Sequence, residues 1–174
     1  MKNRNLIISL ALLGALTVTG TALAAGKIYV GGKVGVVDAD SSGFDPAIAA
    51  GVYGGYNLLG KDAHFAADLK GGTLAVEGEA LLTVVKGNTN AAQDWDITSL
   101  GAFAAYRHPL TDYLYLKGKL GVVRYDIDPV VGVETRLSAG IGAGWKVGPG
   151  SLEAEIAAYG SDVRVLSAGF RMNF

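Results

Sequence analysis

From Ile28 to the last residue, apolar and polar side chains alternate with a period of two. Between Arg136 and Val147, Leu137, Ala139, Ile141, Ala143, Trp145 and Val147 fall on one face, and Arg136, Ser138, Gly140, Gly142, Gly144 and Lys146 on the other. Successive side chains of a strand point to opposite sides, whereas helical spacing would bring apolar residues together at three and four. Around Tyr113–Tyr125 the same split sets Leu114, Leu116, Gly118, Leu120 and Val122 against Lys117 and Lys119. Ile28, Val30, Val34 and Val36 oppose Tyr29, Lys33 and Gly35; Val52, Tyr56 and Leu58 oppose Tyr53 and Asn57; Leu74, Val76, Ala80 and Leu82 oppose Glu77 and Glu79. Leu100, Ala102, Ala104 and Tyr106 oppose Ser99, Gly101 and Arg107; Leu152, Ala154, Ile156 and Ala158 oppose Glu153 and Glu155; Leu166, Ala168, Phe170, Met172 and Phe174 oppose Ser167 and Arg171. The pattern predicts eight strands, each long enough to cross a bilayer when tilted, and an even antiparallel set closes into a barrel.

The connections fit an up-and-down order. His108-Pro109-Leu110-Thr111-Asp112 and Gly148-Pro149-Gly150-Ser151 are tight turns. Asp38 to Ala47, Lys86 to Asp94 and Asp126 to Gly132 are longer and polar and fall at the opposite, external end, with Gly160-Ser161-Asp162 as a short fourth loop there. Gly60 to Gly72 breaks the rule, being long and mixed in character where a short turn belongs. An irregular or short helical insert is the expectation, with an extension of the flanking strands or an extra hairpin as the alternatives.

Upstream of the first strand, Lys2 and Arg4 precede an apolar stretch from Leu6 to Leu16 and a small-residue site, Ala22-Leu23-Ala24. A basic start, a short apolar middle and an Ala-any-Ala site predict a secretory signal peptide over residues 1–24, leaving 25–174 as one domain. Losing Lys2 and Arg4 leaves 13 basic residues against 16 acidic ones, a net charge of −3 with no basic patch for nucleic acid. Zero cysteines exclude a disulfide framework and a thiol nucleophile.

The last residues, Ser167-Ala168-Gly169-Phe170-Arg171-Met172-Asn173-Phe174, place Gly169, Phe170, Met172 and Phe174 in an arrangement that resembles the terminal signal by which the bacterial outer-membrane assembly machinery recognises its clients. With the signal peptide, the eight alternating segments and the opening Tyr29-Val30-Gly31-Gly32-Lys33-Val34-Gly35, the chain resembles the small OmpA-like or OmpX-like outer-membrane barrel proteins. The resemblance implies an all-β, eight-stranded antiparallel transmembrane barrel in a Gram-negative outer membrane. Its partners would be membrane lipid, lipopolysaccharide and the assembly machinery, the state monomeric. No peptidoglycan-binding domain follows Phe174, so the tethering role of two-domain members is not expected.

In such a barrel the polar face points into a narrow interior that side chains must fill. Lys33, Arg107, Lys117, Lys119, Arg136, Lys146 and Arg171 would meet Glu77, Glu79, Glu153 and Glu155 there. Since isolated charges in that space are costly, the expectation is a hydrogen-bonded ion network that plugs the lumen, with a charged channel as the alternative. Gly31, Gly35, Gly55, Gly118, Gly140, Gly142 and Gly144 would relieve crowding and permit strong curvature.

Similar small barrels that act on lipid A use a His-any-Ser pair or a His with Asp and Ser. Here the histidines stand in His64-Phe65-Ala66 and His108-Pro109-Leu110, and neither lies beside Asp40-Ser41 or Ser161-Asp162. A nucleophile needs a base within hydrogen-bond reach, so no enzymatic role is expected. Gly55-Tyr56-Asn57-Leu58-Leu59-Gly60-Lys61 has phosphate-loop spacing but ends in Asp62 instead of a hydroxyl residue. Asp38-Ala39-Asp40-Ser41-Ser42-Gly43 matches half a calcium loop but carries Ala49 at the twelfth position, so a solvated acidic loop is expected and no cofactor or metal. The functional expectation is a structural or surface-interaction barrel, with a narrow pore for ions or small solutes as the alternative and a soluble exported β-protein as a third class.

Overall fold

The structure is a computed structural model and describes residues 28–39, 44–59, 71–89, 93–129 and 132–174. The segment expected to be a signal peptide, with Ala22 and Ala24, the stretch 40–43, and positions 60–70 with His64 lie outside the described residues. The strands are β1 (Ile28–Ala39), β2 (Ala47–Leu59), β3 (Thr73–Val85), β4 (Gly87–Asn88), β5 (Asp94–Pro109), β6 (Leu114–Asp128), β7 (Gly132–Val147), β8 (Gly150–Tyr159) and β9 (Val163–Asn173). Eight of them pair antiparallel in a ring, β1-β2-β3-β5-β6-β7-β8-β9, which closes because β9 returns along the whole of β1, from Ala39↔Val163 to Tyr29↔Asn173. Closure leaves every long strand a neighbour on both sides, which is how a sheet crosses hydrocarbon without exposing backbone polar groups.

The two-residue β4 was not legible in the alternation. It lies in the connection expected to be a polar loop and pairs Gly87↔Trp95 and Asn88↔Asp94, so the β3–β5 hairpin extends past the ring. The segment with phosphate-loop spacing begins inside β2 and is strand from Gly55 through Leu59; its remaining residues lie outside the described ones.

Apolar residues face outward: Leu137, Ile141 and Leu120 are 73%, 69% and 63% exposed. The interior has two layers. At the end carrying the 40–46, 86–93, 129–131 and 160–162 connections, here the upper end, Val37, Leu81, Trp95, Ile97, Val123, Tyr125, Tyr159, Val163 and Val165 form an apolar core. Over it Trp95 packs edge-on against Phe44 at 5.8 Å and donates from Nε1 to the Asp45 carbonyl at 3.0 Å, while Phe44 bridges to Thr89. Below this layer the filling is charged.

Glycines make room for aromatic rings on neighbouring strands. Tyr29 stands opposite Gly55 and Tyr53 opposite Gly31, so a Cβ on either glycine would occupy the ring position. Tyr115 lies over Gly144 in the same way, the pairing by which an aromatic covers a strand glycine.

Candidate functional site

Among the described residues, nine charged side chains fill the lower layer, all buried. The carboxylates come from β3 (Glu77, Glu79) and β8 (Glu153, Glu155), four strands apart in either direction round the ring and so facing each other across the lumen. The lysines come from β1 (Lys33) and β6 (Lys117, Lys119), another facing pair set a quarter turn away. Each carboxylate corner therefore lies between two ammonium corners, the arrangement that lets buried charges pair on both sides.

Glu77, fully buried, accepts from Arg107 Nη2 at 2.7 Å, Lys117 Nζ at 2.9 Å and the Tyr29 hydroxyl at 2.9 Å. Glu79 is met by Lys33 and Lys119, each at 2.7 Å, and by Tyr159 at 3.0 Å. Glu153 accepts from Tyr115 at 2.5 Å and Tyr53 at 3.0 Å, with Lys117, Arg107 and Arg171 at 3.3, 3.4 and 3.5 Å. Glu155 takes Lys119 at 2.6 Å, Lys117 at 2.9 Å and Lys33 at 3.6 Å. Five cations stand against these four carboxylates. The remaining positive charge is met in part by ring faces: Arg171 lies 5.1 Å from the centre of Tyr29 and 5.4 Å from that of Tyr115, and Arg107 lies 4.5 Å from Tyr29. The cavity left between Lys33, Tyr53, Glu79 and Lys117 measures about 10 Å³, room for roughly one water.

Arg136 and Lys146 share the inward parity but are not part of this network. β8 ends at Tyr159, opposite Ser138, so Arg136 projects above the ring, where its half-exposed side chain pairs with Glu134 at 2.9 Å and approaches Asp162 at 4.0 Å. Lys146 lies exposed at the lower rim, one inward position beyond Gly144 and the Tyr115 ring that closes the layer. Four hydroxyl donors, Tyr29, Tyr53, Tyr115 and Tyr159, belong to the site although sequence reasoning assigned only charges to it; their inward parity was the available signal. The apolar upper layer was also missed, and its trace is the adjacent apolar pairs Val36-Val37, Leu81-Leu82 and Val122-Val123, where the alternation breaks down.

His108 lies near the lower rim with Nδ1 3.4 Å from the Tyr106 hydroxyl. Among the described residues no group of three His, Asp or Glu side chains is placed to hold a metal. Among the described residues of the upper end, Asp38, Asp45, Asp94, Asp96, Asp126, Asp128, Glu134 and Asp162 stand against Lys86, Arg124, Arg136 and Arg164, an acidic excess of four. Asp96 is buried there with Lys86 at 3.1 Å. Of the terminal residues, Gly169 points inward against Lys33, while Phe170, Met172 and Phe174 point outward and are exposed; the Phe174 N–H donates to the Ile28 carbonyl at 2.8 Å.

The family model of the outer membrane protein beta-barrel domain matches residues 8–161. The chain belongs to that family. In such a barrel the exposed Tyr56, Tyr113, Trp145, Phe170 and Phe174 form an aromatic girdle at the lower membrane interface. Among solved structures, the Neisserial surface protein A is 21% identical, with a TM-score of 0.56 over 87% of this chain and 100% of that one. Ail of Yersinia pestis, in complex with the heparin analogue sucrose octasulfate, is 18% identical with a TM-score of 0.52, covering 85% and 97%. The outer membrane enzyme PagL is 14% identical with a TM-score of 0.53, covering 84% and 99%. These likenesses extend to the fold alone. No curated protein matches the chain.

Proposed function

We propose that the protein is a closed, non-conducting outer-membrane barrel whose upper end faces outward and carries a surface-interaction role. The observation that carries this reading is the filled interior: an apolar layer under the Phe44–Trp95 cap lies over a charged layer whose void between Lys33, Tyr53, Glu79 and Lys117 has room for roughly one water. Charge in the lower layer is spent on internal pairing, which suits a plug better than a conduit. A narrow channel would need the apolar layer to open. Planar-bilayer recording of the purified protein tests the reading: steady ohmic conductance would overturn it, and a silent membrane with correctly inserted, heat-modifiable protein supports it. Labelling of intact cells at residues placed in the 160–162 turn tests the orientation.

The role is non-catalytic in this reading, since His108 is paired with Tyr106 at the rim and the likeness to PagL carries no activity with it. The sulfated ligand of Ail is a polyanion, and the acidic excess at this chain's upper end favours partners of the opposite sign. Residues 1–24 serve as a cleaved signal with Ala22 and Ala24 at the site, and Gly169, Phe170, Met172 and Phe174 serve recognition by the assembly machinery. The barrel is a monomer, in contact with phospholipid and lipopolysaccharide.

A further inference from the structure

β7 is longer than its neighbour on one side only. β6 accompanies it up to Ile127↔Gly132, whereas β8 pairs with it only from Ser138↔Tyr159 downward. A last bond runs from the Gly160 N–H to the Leu137 carbonyl at 2.8 Å. Residues 132–136 thus form an edge above the β8–β9 turn, and among the described residues no strand pairs with them there. In an antiparallel ladder both backbone groups of a residue point to the same neighbour, and the direction alternates along the strand. Because Leu137 turns towards β8, Thr135 and Val133 turn their N–H and C=O groups to the same open side.

Edges of this kind are often blunted by bulges, proline or inward charges. Here the ladder with β6 runs without a bulge from Val133 onward, and the inward charges, Glu134 and Arg136, are paired with each other. On one face Glu134 accepts from the Tyr125 hydroxyl at 3.0 Å and from Arg136 Nε at 2.9 Å, which fixes the strand in its extended form. On the other face Val133 and Leu137 are 55% and 73% exposed. A template that is already ordered loses little freedom when a second strand joins it.

We propose that this edge takes up an extended cationic peptide segment as an added strand. Main-chain bonds to Val133 and Thr135 supply the attachment, and apolar side chains at alternate positions of the peptide cover Val133 and Leu137. Glu134, Asp162 and the wider acidic excess of the upper end set the sign of the partner and steer its approach. The biological setting rests on the outward orientation of the upper end proposed above. The binding itself does not, since both ends of the barrel are accessible in a micelle, so failure of the edge and failure of the orientation are separable.

The probes are octapeptides of alternating valine and lysine, alternating valine and glutamate, and the valine-lysine peptide with alternate backbone nitrogens methylated. Binding to the full barrel in detergent micelles is read by fluorescence anisotropy, and the contacted amides by hydrogen exchange. The valine-lysine peptide should bind and protect the amides of Val133 and Thr135. The N-methylated form should bind at least about tenfold more weakly, since it forfeits its main-chain donors to the edge. Thr135→Pro, which removes an edge donor but none of the bonds to β6, should weaken the unmodified peptide comparably while the protein keeps its heat-modifiable gel shift. Should that variant fail to fold, the N-methylated peptide decides the same point on the unaltered protein. Equal binding of the glutamate and lysine peptides, equal binding of the methylated form, or protection that maps away from residues 133–137 would overturn the proposal.

Discussion

Replacing Glu77 by Gln keeps the size of the side chain and removes one charge from the centre of the lower layer. The carboxylate holds Arg107 at 2.7 Å and Lys117 at 2.9 Å with no exposure to solvent. Removing one partner of a buried pair costs about 3–5 kcal/mol, because the other charge stays behind in a poor solvent. Lys117 retains Glu155 at 2.9 Å and Glu153 at 3.3 Å, so its loss is softened. Arg107 keeps a single carboxylate, Glu153 at 3.4 Å, beside the Tyr29 hydroxyl at 3.3 Å, so the cost falls mainly there and belongs at the lower end, about 3 kcal/mol. Equilibrium unfolding by guanidinium in detergent micelles, followed by far-ultraviolet circular dichroism and by the gel shift between boiled and unboiled samples, should show the midpoint fall. Removing the stranded cation as well, in Glu77→Gln/Arg107→Leu, should recover part of the loss. The matched control is Glu134→Gln, which leaves the exposed Arg136 with the Asp162 carboxylate alone, at 4.0 Å, and should keep the midpoint in place. If the Glu77 and Glu134 variants unfold together, the charged layer does not hold the barrel and the face assignment is wrong.

Three further outcomes test the other parts of the fold. Trp95→Ala should cost about 3–5 kcal/mol and free the Phe44 segment, measured by the same unfolding curves and by faster exchange of the Asp45 amide, which bonds to the Asn88 carbonyl at 2.7 Å. Gly144→Ala should cost about 1–3 kcal/mol by driving a methyl into the Tyr115 ring, and Tyr115→Ala in the same chain should remove that clash. With Trp95 replaced by Phe, fluorescence of Trp145 should be quenched by lipids brominated along their acyl chains; with Trp145 replaced by Phe, the buried Trp95 should be quenched far less, and equal quenching would contradict the inside-outside assignment.

The membrane-facing half of this fold was legible because the alternation is a local property: Leu116, Leu120 and Val122 keep their phase against Lys117 and Lys119 whatever the rest of the chain does. The eight-stranded count followed from the same signal. Which carboxylate meets which cation was not legible, since Glu77 on β3 and Glu153 on β8 become neighbours only through the ring order. Arg136 and Lys146 have the right parity and the wrong height, and parity carries no information about height: where β8 stops short of β7 decides the first and where the Tyr115 ring closes the layer decides the second. The apolar upper layer escaped notice for a related reason. Val37, Leu81 and Val123 sit in the inward phase, but beside apolar outward neighbours they blur the alternation instead of announcing a core.

The four-cornered placement of charge bears on how the chain can be assembled. Glu77 and Glu79 enter with the third strand, Glu153 and Glu155 with the eighth, and the lysines that serve both sets come from β1 and β6. A sheet that has the first seven strands but lacks β8 and β9 carries Arg107, Lys117 and Lys119 against only half of their carboxylates, beside hydrocarbon that solvates none of them. A half-built sheet is thus a poor resident of the bilayer. Charge neutralisation and ring closure become one event, which favours an all-or-none transition over a ladder of inserted intermediates and makes release from whatever machine handles the chain conditional on its last hairpin.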